Sequence, residues 1–219
     1  MSEPHRGYAP IVEGFPSVRS SYEVIAHIVQ SNPTIDFLTL VTYEEGPNWR
    51  DLRHTAQGAE AVLLLKGLQQ DRGERILTKL SRREVSAENL RDVARSLNSN
   101  KLLGVISKVG LVSGESAHIP MMDFMCAPST TNLEVLVHLL RDLRQGRGFL
   151  LESGRSYHYY AFQLLTEEEW SIFLGKCLLM SSYTDDRYIG HQLVDGHCVL
   201  RLSSGKSKAS VPTVVAELS

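Results

Sequence analysis

The sequence has little cysteine and no pairing signal in what it has: Cys126, Cys177 and Cys198 are an odd set without CxxC spacing. Each stands among apolar neighbours, so we expect buried reduced thiols, not a disulfide framework or a thiolate metal site. His191 and His197 do not restore a zinc reading with Cys198, because adjacent strand residues point to opposite faces. Long hydrophobic runs are absent too. No segment approaches the ~18 uninterrupted apolar residues of a membrane span, and "MSEPHRGYAP" contains no apolar region of a secretory signal. The chain is therefore expected to be cytoplasmic, with no membrane partner. Excess charge of one sign is missing as well. A formal net charge of −2 supplies no global field for nucleic acid, so any such contact needs a local basic patch. There is no G-x-S-x-G elbow, which argues against a Ser-His nucleophile pair, and neither an internal repeat nor a low-complexity segment.

What is present is enough for a large core. With 219 residues and 42% apolar content, the chain can bury one large domain or two packed modules. "SYEVIAHIVQ" carries apolar residues at helical spacing, Asn32-Pro33 stops it, and "TIDFLTLVTY" reads as a buried strand. After the turn-rich "EEGPNWRDLRHTAQG", the run "AEAVLLLKGL" reads as a strand or short helix, and "SAENLRDVARSL" as a serine-capped helix. From Lys101 strands dominate: "KLLGVISKVGLV", "HIPMMDFMC", "GFLLESG", "SYHYYAFQLL", "HCVLRLSS" and "VPTVVAEL". Two helices interrupt them. "TTNLEVLVHLLRDLRQG" opens on threonines suited to an N-cap and runs to Gly146, and "TEEEWSIFLGKCLLM" opens on a Thr166/Glu169 capping box. This order predicts an α+β fold whose second half is an antiparallel sheet with helices on one face. An αβ module over 1–100 would precede a second module over 101–219, the two forming one compact unit.

Three stretches carry chemistry. Asp123 lies in a run so apolar that its strand is expected to be central; a carboxylate there needs a partner or a cation, unless it ends the strand and caps a turn. In "LLESGRSYHYYAF", Ser153, Gly154 and Arg155 form a corner between two strands. Such a turn can offer N–H groups, a hydroxyl and a positive charge to an anion, with His158 on the returning strand able to donate to a phosphate; a plain hairpin with a surface histidine fits the same pattern. Finally, "YTDDRYIGHQLVDGHCVLRLSSGKSK" sets Asp185 and Asp186 after a helix, Arg201 on a strand, and Lys206 and Lys208 in a loop. That grouping suits a metal and triphosphate site, since Mg²⁺ is held by one or two carboxylates plus phosphates, and it equally suits an ordinary polar loop.

Together these stretches resemble the catalytic core of the archaeo-eukaryotic primase superfamily, nearest to bacterial primase 1D-like proteins, through "PMMDFM", "ESGRSYHYY" and "YTDDRYIGH…LRLSSGKSK". The resemblance is close over residues 118–217 and holds only in outline before them. It implies an αβ module packed on an RRM-like sheet and a nucleotidyltransferase of the primase-polymerase type, using Mg²⁺ or Mn²⁺, nucleoside triphosphates and a nucleic-acid template. It further implies that Asp123, Asp185 and Asp186 hold the metal and that His158 and the Ser153-Gly154-Arg155 turn receive the triphosphate. Arg201 with Lys206 or Lys208 would complete the clamp. One departure from the family pattern is Met125, where a second aspartate usually stands and where no Mg²⁺ ligand remains; Glu152 is a candidate replacement if its strand lies beside that of Asp123. The departure leaves open a binding module that takes nucleotides or nucleic-acid ends without turnover, and a purely structural subunit.

Overall fold

Ser20 turns the chain into the first helix, α1 (Ser21–Ser31), where the Glu23 carboxylate accepts from the Ser20 N–H at 2.8 Å and from its hydroxyl at 3.0 Å. The computed structural model describes residues 19–44, 58, 74–143, 146–206 and 208–218. The run "AEAVLLLKGL" and nearly all of the turn-rich stretch before it lie outside the described residues. Helix α1 buries Val24, Ile25, Ile28 and Val29, the face that its apolar spacing marks out. The long strand β1 (Ile35–Glu44) follows, then β2 (Arg75–Ser81), helix α2 (Ala87–Arg95), and strands β3 (Lys101–Ile106), β4 (Lys108–Leu111), β5 (Ser116–His118) and β6 (Met121–Asp123). Helix α3 (Thr130–Asp142) leads into the hairpin of β7 (Gly148–Glu152) and β8 (Tyr157–Ala161). Helices α4 (Glu167–Leu178) and α5 (Asp186–Asp195) then precede β9 (Val199–Arg201) and β10 (Thr213–Leu218).

Two antiparallel sheets result, which establishes the α+β fold. In the first, β1 is the axis. One edge pairs with β2, and the other pairs with β3 over Leu40–Glu44 and with β4 at Ile35 and Phe37. Strands β3 and β4 thus run as nearly one strand broken at Ser107, and their far edge is shared by β9 and β5. This sheet draws strands from both sides of residue 100. The second sheet has the order β10-β7-β8-β6. Gly148 is required in β7 because a Cβ there would lie 2.7 Å from the Tyr160 carbonyl oxygen. A shared core takes Leu38, Leu103, Phe149, Tyr159, Trp170 and Ile189 from both sheets and from helices α4 and α5.

Several expectations need correcting. Strand β6 is the last strand of its sheet, not a central one. Its apolar character is accounted for by depth, since Met121, Met122 and Phe124 are all fully buried. The cap of α3 is Ser129, whose hydroxyl accepts from Asn132 N at 3.1 Å, and not a threonine. Residues 186–195 form a helix where a loop was expected. Strand β2 has no counterpart in the sequence reading. Cys177 and Cys198 are buried free thiols, with Cys198 pushed up to about 12 by burial, but Cys126 is only half-buried. Among the described residues no helix is long and apolar enough to cross a membrane.

Candidate functional site

Antiparallel pairing of β6 with β8 sets Asp123 directly across from His158. Residues so opposed project to the same face of a sheet, and here His158 Nε2 stands 3.9 Å from Asp123 Oδ1. The two side chains differ in solvation: the Asp123 side chain keeps 33% exposure while His158 is buried. Two positions before His158, and so on its face, the Ser156 hydroxyl points at Asp123 Oδ1 from 3.4 Å. Sequence reading placed weight on Ser153 and passed over Ser156; the i, i+2 alternation with His158 was the signal that would have found it.

The corner between β7 and β8 closes through Ser153 N–H donating to the Ser156 carbonyl at 2.9 Å, with Gly154 at φ 105°. That φ is why a glycine stands there. Arg201, at the end of β9, lies beneath this corner and is itself buried. Its guanidinium donates to the carbonyl oxygens of Ser153 at 2.7 Å and Ser210 at 2.8 Å, and to that of Ser203. These bonds spread the buried charge over carbonyl dipoles and fasten the β9–β10 loop to the Ser-Gly corner. Arg155 and Lys206 are exposed, and Lys208 is half-buried.

Burial, and then the positive charges of Arg201 and Lys208, push the His158 imidazole down to about 3. It is therefore neutral at pH 7, with one ring nitrogen carrying a proton and the other free to accept. Among the described residues, no group reaches its Nδ1 within hydrogen-bonding distance, although the atom is buried. His27 Nε2, Tyr160 Oη and Trp170 Nε1 are in the same condition, so this does not by itself set His158 apart.

Asp185 reaches this site through the backbone. Phe124 and Thr184 form an antiparallel bridge, and Met125 N–H donates to the Tyr183 carbonyl at 2.8 Å. Continuing that register by one residue puts Asp185 across from Asp123, on the side opposite His158. The three residues, separated by up to 62 positions in the chain, thus occupy neighbouring positions on adjacent segments. The Asp185 carboxylate also caps α5, its Oδ1 accepting from Arg187 N at 3.0 Å and Tyr188 N at 3.4 Å. Asp186 is exposed in the first turn, and its Oδ1 accepts from Arg187 N at 2.9 Å. Glu152 pairs with Tyr157 and not with His158, so strand alternation turns it to the face away from Asp123. It does not replace the missing carboxylate at Met125. No group of three or more His, Cys, Asp or Glu side chains placed to hold a metal occurs among the described residues.

A family model described as AEP-like, archaeo-eukaryotic primase 1D-like, matches residues 81–213. No curated protein and no solved structure matches the chain.

Proposed function

The chain belongs to the archaeo-eukaryotic primase 1D-like family, and from that premise we propose that the Asp123–His158–Asp185 face binds a nucleoside triphosphate with a divalent ion and transfers its nucleotidyl group to a nucleic-acid primer or template-bound end. The observation that carries the reading is the register: Asp123 pairs with His158, Ser156 lies on the same face, and the Phe124–Thr184 bridge next to Asp123 brings in the segment that carries Asp185. Two carboxylates are the number of protein ligands Mg²⁺ or Mn²⁺ commonly takes when phosphate oxygens and water complete its shell. The donor set of Asp123 and Asp185 therefore fits such an ion, without a three-residue cage. The ion would neutralise charge on the phosphates during transfer.

The chain's own residues have separate tasks in this scheme. A neutral His158 donates its ring N–H to a phosphate oxygen without adding charge to a buried site. The Ser153-Gly154-Arg155 corner offers hydroxyl, backbone N–H and guanidinium groups to the same phosphates. Lys208 adds positive charge near His158, while Arg201 acts through the corner by holding its carbonyl, so it is a positioning residue.

A second reading, nucleotide or nucleic-acid binding without turnover, is favoured by Met125 and by the orientation of Glu152. Extension of a primed template with Mg²⁺ or Mn²⁺ separates the two. We expect Asp123→Asn to lower the extension rate by roughly 10²–10³-fold, the scale of losing one charge-stabilising group, and His158→Ala to weaken triphosphate affinity measured calorimetrically. An inert wild type that still binds triphosphate supports the second reading, and a wild type with no triphosphate-dependent heat refutes both.

A further inference from the structure

A cleft of about 490 Å³ opens on the other side of the β9–β10 loop from the Ser-Gly corner, with Arg19, Arg91, Arg95, Tyr22, Ser204 and Thr213 among its walls. Three guanidinium groups in one cleft contrast with the near-neutral chain as a whole. We propose that this cleft is the track for the sugar-phosphate backbone of a single-stranded nucleic acid, delivering the strand to the Asp123 site; the inference rests on the nucleotidyl-transfer reading above.

The cleft is net positive. Glu23 is the acidic residue within it, and its carboxylate is already taken by the Arg19 and Ser20 backbone N–H groups, each at 2.8 Å, and by the Arg91 guanidinium. Although its partial burial pulls the other way, those bonds and that charge hold the Glu23 carboxyl below its ordinary value, so it is fully ionised and cancels one arginine of three. Arg91, which shares its guanidinium with Glu23, and Arg95 stand four residues apart on α2, about 6 Å along its axis. That interval is close to the separation of successive phosphates in an extended strand. Arg95 is 77% exposed and touches Asp92 at 3.2 Å, a surface pair too weak to withhold the guanidinium from a phosphate. Guanidinium groups match phosphate oxygens in pairs, which a lysine cannot do.

The cleft and the Asp123 site share a wall. The β9–β10 loop is tied to α1 by Ser21 Oγ–H donating to the Leu202 carbonyl at 2.7 Å and Ser21 N–H to Pro212 at 2.9 Å. On its other side Arg201 fastens it to Ser153. Arg201 exerts its charge on both Tyr22 in the cleft and His158 in the site, so it stands near both. A strand lying across Arg19 and α2 would thus need only to cross this loop to reach the carboxylates.

Binding of a fluorescein-labelled oligothymidylate to the full chain, followed by anisotropy across a salt series, tests this. The double variant Arg19→Glu/Arg95→Glu is expected to bind at least tenfold more weakly, with a log K against log salt slope shallower by about 1.4, two contacts at ~0.7 each. Arg83→Glu, an exposed charge outside the cleft, is expected to bind as wild type does. Equal binding by the double variant, an equal loss in Arg83→Glu, or no binding by wild type would each overturn the proposal. Triphosphate affinity read on the same proteins keeps the two hypotheses apart: it should survive in the double variant. Cleft-dependent oligonucleotide binding by a chain that takes no triphosphate would leave the cleft standing and remove the nucleotidyl-transfer reading.

Discussion

Arg201 shows how a residue can be essential without touching a substrate. Its positive charge is buried and its N–H groups are shared among three carbonyls from two loops, so its removal breaks the buried bonds to Ser153 and Ser203. Arg201→Ala should cost about 2–4 kcal/mol in urea unfolding, the range for leaving more than one buried acceptor unpaired. Arg155→Ala, on the exposed tip of the same corner, should stay within about 0.5 kcal/mol of wild type. The neighbours of the two arginines differ: Arg155 stands between Gly154 and Ser156, and Arg201 between Leu200 and Leu202. Those neighbours foretell the difference in depth, an apolar strand against an exposed turn, but not which carbonyls Arg201 meets. His158 was recognisable as a candidate from its place after a Ser-Gly turn, but its pairing with Asp123 depends on the partner strand's register. Thirty-five positions of chain separate the two, and no local pattern fixes that register.

At the scale of elements, the links between secondary structures respond to acid. His118 at the end of β5 is buried, stacks on Trp170 of α4 with ring centres 4.4 Å apart, and bonds Ser107 through Nδ1 at 3.1 Å and Glu167 through Nε2 at 3.1 Å. Burial lowers its affinity for a proton, with Lys108 and His197 adding to the effect and Glu167 opposing it. Below about pH 6.5 the unfolded chain therefore takes up a proton that the folded one resists, and stability falls on acidification. Glu167 works in the same direction at lower pH: bonds from Lys108 and His118 hold its carboxyl below the ordinary value, so its contribution disappears as it is protonated. Denaturant unfolding between about pH 5 and 6.5 should show a shallower slope for His118→Gln than for wild type.

Most elements were readable. The Thr166/Glu169 box forms, with Thr166 N–H donating to Glu169 Oε2 at 2.9 Å, and Ser86 caps α2 as its spacing indicates. Helix α5 also carries both of its punctuation marks, the Asp185 cap and Gly196 at φ 69°. It was hidden because the acidic pair inside "YTDDRYIGH" reads equally well as loop chemistry. Strand β2 escaped for a different reason: all but Leu80 of its residues are exposed, so it presents no apolar face to detect.

On the scale of the whole molecule, the division of the chain near residue 100 does not follow the sheets. β1 supplies the inner edge for β3 and β4, and β9 returns from the far end of the sequence to pair with β3. A fragment spanning 101–219 would expose that edge and lose the α1 face packed in the core. It should lack the near-ultraviolet dichroism of fixed tertiary packing and should aggregate; a folded monomeric fragment would refute this. The α+β class was legible because helical and alternating patterns are local. The sharing of strands between two sheets was not, since it follows from which buried edges find each other in space.

The position of β6 sets the order in which function is lost. A three-residue strand with a full ladder on one edge only has few backbone bonds to hold it, and its attachment depends on the burial of Met121 and Met122. When it lifts, Asp123 departs from the imidazole while the remaining strands stay zipped. Warming or mild denaturant should thus silence this protein while its circular dichroism still reports an intact scaffold.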